Sequence, residues 1–283
     1  MGIGLIWHNN VWIALQNIGV RTAAIAHDKY DLILCNDTVV INLISFDSAY
    51  QAQELIELQT AYQFKNITLV QLWEDIWHTR QEQVLGRIKS VLGLNKRLHG
   101  RKGIIKVINQ KQADDFLNAN HIQASAKSKY KFALDIDGQT VAVACFSNIR
   151  LMKRISAGYR SVELVRFATL MGFTVTGGFT KLLKHFIKMI MPNDVMSYAD
   201  RDWSLGNAYE QSGFKLVEVT PPAQIWLKKE EMVRFFPHRL PVPITPHLNQ
   251  NEEIISVARD DEEYIPIFNT GNLKYILYLK LHR

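Results

Sequence analysis

The chain has 283 residues, 47% of them apolar and 21% charged, with a formal charge of +6 and an isoelectric point near 9.2. That length and composition suit two globular domains with sizeable cores, and exclude a low-complexity, collagen-like or disulfide-dense chain. The cation excess suits a polyanionic partner without proving one.

The N-terminal apolar run Ile3–Trp7 has no basic region before it and is cut short by His8, Asn9 and Asn10. Neither a signal peptide nor a membrane span is expected there. Short branched-apolar runs at Tyr30–Leu34 and Thr38–Ile44, separated by Asn36-Asp37, predict a β-hairpin. Helical spacing of Leu55, Ile56, Leu58 and Tyr62 predicts a helix within Asp47 to Phe64. Ile67 to Trp73 reads as a strand. A helix from Thr79 to Leu92 follows, with Gly93 as its C-cap. Cys35 and Cys145 lie far apart in apolar runs without zinc spacing, so they read as core thiols of a reduced, cytoplasmic protein. His8, His78, His99, His121 and His185 show no metal spacing either.

From Glu82 to Asp114 no acidic residue occurs, while Arg87, Lys89, Lys96, Arg97, Arg101, Lys102, Lys106 and Lys111 accumulate. The domain boundary is placed here, giving units 1–95, 96–235 and a Pro-rich tail, 236–283. Ile104–Ile108 reads as a strand and Gln110–Asn118 as a helix. Lys131–Ile136 and Thr140–Ser147 make a hairpin across Asp137-Gly138. A strand at Ser161–Phe167 leads to Gly177-Gly178 and a helix, Phe179–Met191. From Val195 a short apolar run reads as a strand ending in a polar corner, Tyr198–Asp200, followed by a helix burying Ala208 and Tyr209 and, after Gly213, the run Phe214–Val219. A last hairpin is expected from Tyr264–Phe268 and Leu273–Leu281.

Strand, helix, Gly-Phe and strand in that order resemble the last third of the N-acetyltransferase-like (GNAT) fold. In that family a loop after the fourth strand presents backbone N–H groups to the cofactor pyrophosphate, here Gly177 and Gly178. Phe179 stands where a second small residue is expected, which argues against ordinary acetyl-CoA binding; the Gly pair can equally just turn the chain. Glu163-Leu164-Val165-Arg166 with Tyr198-Ala199-Asp200 is similar to the phage Mu-type DNA adenine-modification protein. That resemblance implies a catalytic set of Arg166, Tyr198 and Asp200 at strand ends, where an Arg and an Asp can orient a substrate and move a proton. A structural ion pair is the alternative.

Leu69 to Trp77, then Arg87-Ile88-Lys89 and Leu92-Gly93, then Phe116-Leu117-Asn118-x-x-His121-Ile122-Gln123, resemble phage homing-type endonucleases. These carry a very-short-patch-repair-like nuclease domain before a GNAT-like module. The implied architecture is a restriction-endonuclease-like α/β domain followed by a GNAT-like α+β domain with a mixed sheet. Asp31, with Asp47 as a substitute ligand, would hold Mg²⁺; Val40 occupies the expected Glu position and cannot bind a metal, so the nuclease reads as degenerate. Glu74 and Asp75 can instead cap the following helix. Phosphate contacts of double-stranded DNA are expected at Arg87, Lys89, Lys96, Arg97, Arg101, Lys102, Arg150, Lys153, Arg154 and Arg160, with Tyr130 and Tyr159 able to stack on a base. The resulting reading is a phage or mobile-element DNA-processing protein. The alternative is a GNAT-type transferase acting on DNA, a small molecule or a protein.

Overall fold

A computed structural model describes residues 6–240 and 263–279. The chain opens with α1 (Ile6–Asn17), β1 (Thr22–Ile25), β2 (Asp31–Cys35), β3 (Val39–Ile44), α2 (Ala52–Phe64), β4 (Thr68–Trp73) and α3 (Glu74–Val91). The four strands lie in the order β1-β2-β3-β4. β1, β2 and β3 form an antiparallel meander, and α2 carries the chain across to parallel β4. The β2–β3 turn has both Asn36 (φ 46) and Asp37 (φ 59) at positive φ, the twist-matched hairpin turn expected of an Asn-Asp pair. All six β3 residues are buried, because both sheet faces are covered. Trp7, Val11 and Leu15 of α1 join Trp77, Val84 and Ile88 of α3 on one face. Leu58 and Tyr62 of α2 pack against Leu32, Val40 and Leu69 on the other.

Two local expectations are corrected here. His8, Asn9 and Asn10 do not end the apolar run but lie inside α1, which turns Trp7, Val11 and Leu15 inward at four-residue spacing. α3 starts at Glu74 rather than Thr79, with Glu74 and Asp75 in its first turn, and kinks at Arg80 (φ −139, ψ 30). Its end matches expectation: Gly93 is left-handed (φ 70), and the Leu94 N–H closes onto the Lys89 carbonyl at 2.9 Å.

The chain continues through β5 (Lys96–His99), a 3-10 turn at Gly100–Lys102, β6 (Ile104–Val107), α4 (Gln110–Asn120), β7 (Tyr130–Ile136), β8 (Gln139–Phe146), β9 (Arg150–Leu151) and β10 (Arg160–Thr169). Next come β11 (Phe173–Thr176), α5 (Gly178–Ile190), β12 (Asp194–Asp200), α6 (Asn207–Gln211), β13 (Lys215–Val219), β14 (Gln224–Lys228), β15 (Val233–Phe235), β16 (Tyr264–Phe268) and β17 (Asn272–Tyr278). A large mixed sheet runs β13-β17-β12-β10-β8-β7-β6, with β9 beside β10. α5 covers one face through Leu182, Leu183 and Phe186, the last stacked on Phe146 at 3.8 Å. α4 covers the other through Ala113 and Leu117, against Ala133, Val143 and Cys145. Both cysteines are buried free thiols, and burial pushes Cys35 up to about 12.

The expected C-terminal hairpin does not form. β16 pairs with β14, whereas β17 inserts between β12 and β13 of the large sheet. Gly271 (φ 86) makes the crossing between the sheets, since a Cβ there would meet the Thr220 carbonyl oxygen at 2.3 Å. The Pro-rich loop from 241 onward lies outside the described residues.

The parts are packed together rather than strung on linkers. Ile225, Leu227 and Ile267 bury against Ile44, Leu55 and Trp73. Trp203 enters the core of the first sheet, and the Gln71 N–H donates to the Asp202 carbonyl at 2.9 Å. Boundaries at 95 and 235 therefore cut through shared cores.

Candidate functional site

The large sheet contains a fork. β10 and β12 are its parallel neighbours, and they pair only from Ser161–Glu163 to Asp194–Met196. Beyond that they diverge, and β10 carries a bulge between Leu164 and Arg166 against β8, a common device for re-aiming side chains. Ser197 holds the crotch, its hydroxyl donating to the Leu164 carbonyl at 2.9 Å and lying 3.0 Å from Tyr209 Oη. Phe179 fills the space above, 4.9 Å from Phe167 and 6.1 Å from Tyr209 between ring centres.

Past this aromatic plug lies a cavity of about 290 Å³ at the carboxyl ends of both strands. It is lined by Phe167 to Met171, Tyr198 to Asp200, Trp203, Ser204 and Tyr209, together with Arg87 and Ser90 of α3, Asn95 and the Asn120–Gln123 turn. Period-two alternation puts Tyr198 and Asp200 on the same side of β12. Ala208 is exposed rather than buried, because α6 is one short turn whose Tyr209 alone reaches the core.

Asp200 is tightly held. Gln123 Nε2 donates to its Oδ2 at 2.7 Å, and the Asp202 N–H to its Oδ1 at 3.0 Å. Burial nevertheless raises its pKa, opposed by those bonds and by Arg234 and Arg166. Asp202, buried beside it, is also raised, by burial and then by the Asp200 charge; Thr270 donates to it from both N–H (3.0 Å) and hydroxyl (2.6 Å). Below them Arg234 makes a two-pronged bond to buried Asp75, at 2.5 and 2.7 Å.

Arg166 does not line the cavity and makes no ion pair with Asp200. Its Nε donates to the Ala124 carbonyl at 3.2 Å and its Nη1 to the Val165 carbonyl at 2.8 Å. It thus holds the turn that presents His121 and Gln123, in which Ala124 is left-handed (φ 56). His121 is neutral: burial pushes it down to about 3, reinforced by Arg166, Arg87 and Arg80. Its Nδ1 accepts from the Gln123 N–H at 3.0 Å, so the ring proton sits on Nε2. Reading the sequence for metal ligands passed over His121, although the Arg87, His121 and Gln123 motifs converge here from two separate segments.

Gly177 and Gly178 lie at the start of α5, where the chain's own backbone approaches Gly178 closely. Gly100 sits so near that a Cβ on it would lie 2.7 Å from Gly178 N and 2.8 Å from its Cα. Lys181 fastens this lid by donating to the Arg101 (2.8 Å) and Gly103 (2.5 Å) carbonyls. At the helix start that the GNAT resemblance assigns to a pyrophosphate, Gly178 is crowded by the Gly100 backbone, while Gly177 stays exposed with open space around it.

The basic residues do not form one track. Lys96, Arg97, Arg101 and Lys102 are exposed on β5 and its turn; β5 pairs with β11, which follows the end of β10. Arg150, Lys153, Arg154 and Arg160 surround the beginning of β10, roughly 30 Å away along the strand. Arg150 pairs with Glu163 at 3.3 Å, Arg160 donates to the Met191 carbonyl, and Arg87 faces the cavity. Lys89 lies half-buried near the end of α3. In the first sheet Asp31 lies 4.0 Å from His8 and Asp47 acts on the same imidazole, but among the described residues no three His, Cys, Asp or Glu side chains converge as metal ligands. No described helix is long and apolar enough to cross a membrane.

No family model matches the chain, and no curated protein gives a significant match. Solved structures similar to part of it include an IAA acetyltransferase from Bacillus cereus, 14% identical, covering 62% of this chain and 99% of its own, at a TM-score of 0.36. A Bacillus subtilis acetyltransferase in complex with CoA is 12% identical over 63% of this chain and 100% of its own, at 0.38. The ribosomal-protein-S18-alanine N-acetyltransferase of Escherichia coli is 11% identical over 64% and 96%, also at 0.38. At such identities and scores the likeness assigns neither activity nor substrate.

Proposed function

We propose that the cavity at the fork of β10 and β12 is the active site of a GNAT-like transferase acting on a small acceptor. One observation carries this reading: Asp200, a carboxylate of raised pKa, is fixed by two hydrogen bonds at a strand end and lines the cavity. Such a carboxylate can take a proton from an amine or hydroxyl as that group attacks. Tyr198 stands beside it on the same strand face, and Arg166 acts as a positioning residue through the His121–Ala124 turn. Nothing in this reading routes a donor over Gly177 and Gly178.

The test is an unbiased one: the protein is incubated with acyl donors of several classes, pooled small amines and alcohols, and double-stranded DNA, followed by mass spectrometry. A mass gain on a small molecule, lost in Asp200→Asn, is expected. No gain on any acceptor contradicts the reading.

A second reading, with DNA as acceptor, is favoured by one observation. Lys96, Arg97, Arg101 and Lys102 are exposed without an ion-pair partner among the described residues, at the cavity's end of β10. Phosphate contacts there require affinity that falls steeply with salt. A flat salt dependence, or a mass gain confined to small molecules, removes this reading. Asp31 and Asp47 receive no nuclease role in this reading: the residue opposite Asp31 on the neighbouring strand is Leu43, which cannot bind a metal.

A further inference from the structure

Resting on the proposed active site, we infer that the first ninety residues supply its specificity: Arg87 on α3 binds a carboxylate or phosphate group of the acceptor. The Arg87 guanidinium lines the cavity yet has no hydrogen-bond or ion-pair acceptor among the described residues. The other arginines of this region are committed, Arg80 to the Asn118 carbonyl at 3.1 Å, Arg166 to two carbonyls, and Arg234 to Asp75. Burial disfavours the Arg87 charge, and an oxyanion matching its planar fork offsets that cost.

The surroundings agree on the sign of the missing charge. Arg80, Arg87 and Arg166 all act on His121, while Asp200 is the sole acidic side chain along the cavity wall. His121 offers an Nε2–H, since its Nδ1 is occupied, and Ser90 adds a hydroxyl on the same side as Arg87. Phe167, Phe179, Trp203 and Tyr209 add aromatic surface to the same cavity. The cavity therefore combines unpaired donors, aromatic surface and one carboxylate, Asp200, whose charge also acts on Arg87. It suits a small molecule with an oxyanion at one end and a nucleophile at the other.

Binding of benzoate, phenyl phosphate and the neutral analogue benzamide to the full-length protein tests this by calorimetry. At least one anionic probe binds ten-fold or more tighter than benzamide, and which one it is identifies the oxyanion. Arg87→Gln lowers that affinity ten-fold or more. Asp200→Asn leaves it equal or stronger, because a repelling charge is gone. Equal binding of benzamide and both anions, no binding of any probe, or unchanged affinity in Arg87→Gln each overturns the inference. If Arg87→Gln does not fold, the preference of the unmodified protein for anion over amide decides. Anion binding that depends on Arg87, without transfer to any acceptor, leaves this inference standing and removes only the transferase reading.

Discussion

Two anion-seeking places lie within this molecule, and the chain treats them oppositely. At the start of α5 the free helix N–H groups face Gly100, and Lys181 ties the covering turn down. At the fork of β10 and β12, Arg87 and the Nε2–H of His121 are left facing empty space. The first place is crowded by the chain's own turn; the second keeps its unmet hydrogen-bonding capacity for something that arrives. A glycine pair before a helix is thus equally good at admitting a backbone as a phosphate, and what lies opposite decides between them.

Substitutions at the two places have separable effects. The largest is expected on the open side: Asp200→Asn removes the proton acceptor and lowers turnover by about 10²–10⁴-fold, with melting temperature held or raised, since a buried charge is lost. A large drop in stability with unchanged specific activity would make Asp200 a structural residue. Next comes the strut beneath the cavity. Asp75→Ala strands Arg234 and costs about 3–5 kcal/mol in urea unfolding; a loss below 1 kcal/mol, by this argument, would mean that water replaces the pair.

On the closed side, Gly100→Ala pushes a methyl against Gly178 backbone atoms at 2.7–2.8 Å. It should destabilise by about 1–3 kcal/mol without changing affinity for a cavity ligand. A change in ligand affinity alone would show that the α5 start is not closed in solution.

The smallest effect is a pH slope. Folded His121 stays neutral down to about 3, against an ordinary 6.5. Between those values the unfolded chain binds more protons, so this group's contribution to stability is complete above pH 6.5 and is lost as pH falls toward 3. Asp200 and Asp202, raised in the fold, act with the opposite sign above the ordinary carboxylate range. Comparison of the parent with His121→Gln isolates the histidine: the variant should lose less stability on acidification from pH 6.5 to 4, and parallel curves would contradict the assignment.

What could be read in the sequence was mostly local. Asn36-Asp37 and Asp137-Gly138 dictate their hairpins because turn geometry depends on the turn residues themselves. Gly93 ends α3 for the same reason. Tyr264–Phe268 and Leu273–Leu281 look like another hairpin around Asn269-Thr270-Gly271-Asn272, yet the strand partners were chosen at long range by β14, β12 and β13. Trp7, Val11 and Leu15 were hidden because polar His8 to Asn10 interrupt the run as written, though not as wound on a helix. In the site, Tyr198 and Asp200 were found from a strand-end motif. Arg87 was counted as a surface cation, since a run without acids resembles a phosphate track until folding turns one member inward. Nothing in the sequence revealed that Gly100 would meet Gly178, for no short-range pattern couples positions seventy-eight apart.

Which of the two places receives a ligand is tested most directly by a crystal structure of the protein soaked with phenyl phosphate and, separately, with CoA. An oxyanion seated on Arg87 within the cavity, with Gly100 still against Gly178, is the predicted result. A pyrophosphate lying on Gly177 and Gly178, with the Gly100–Lys102 turn displaced and the cavity empty, would contradict it.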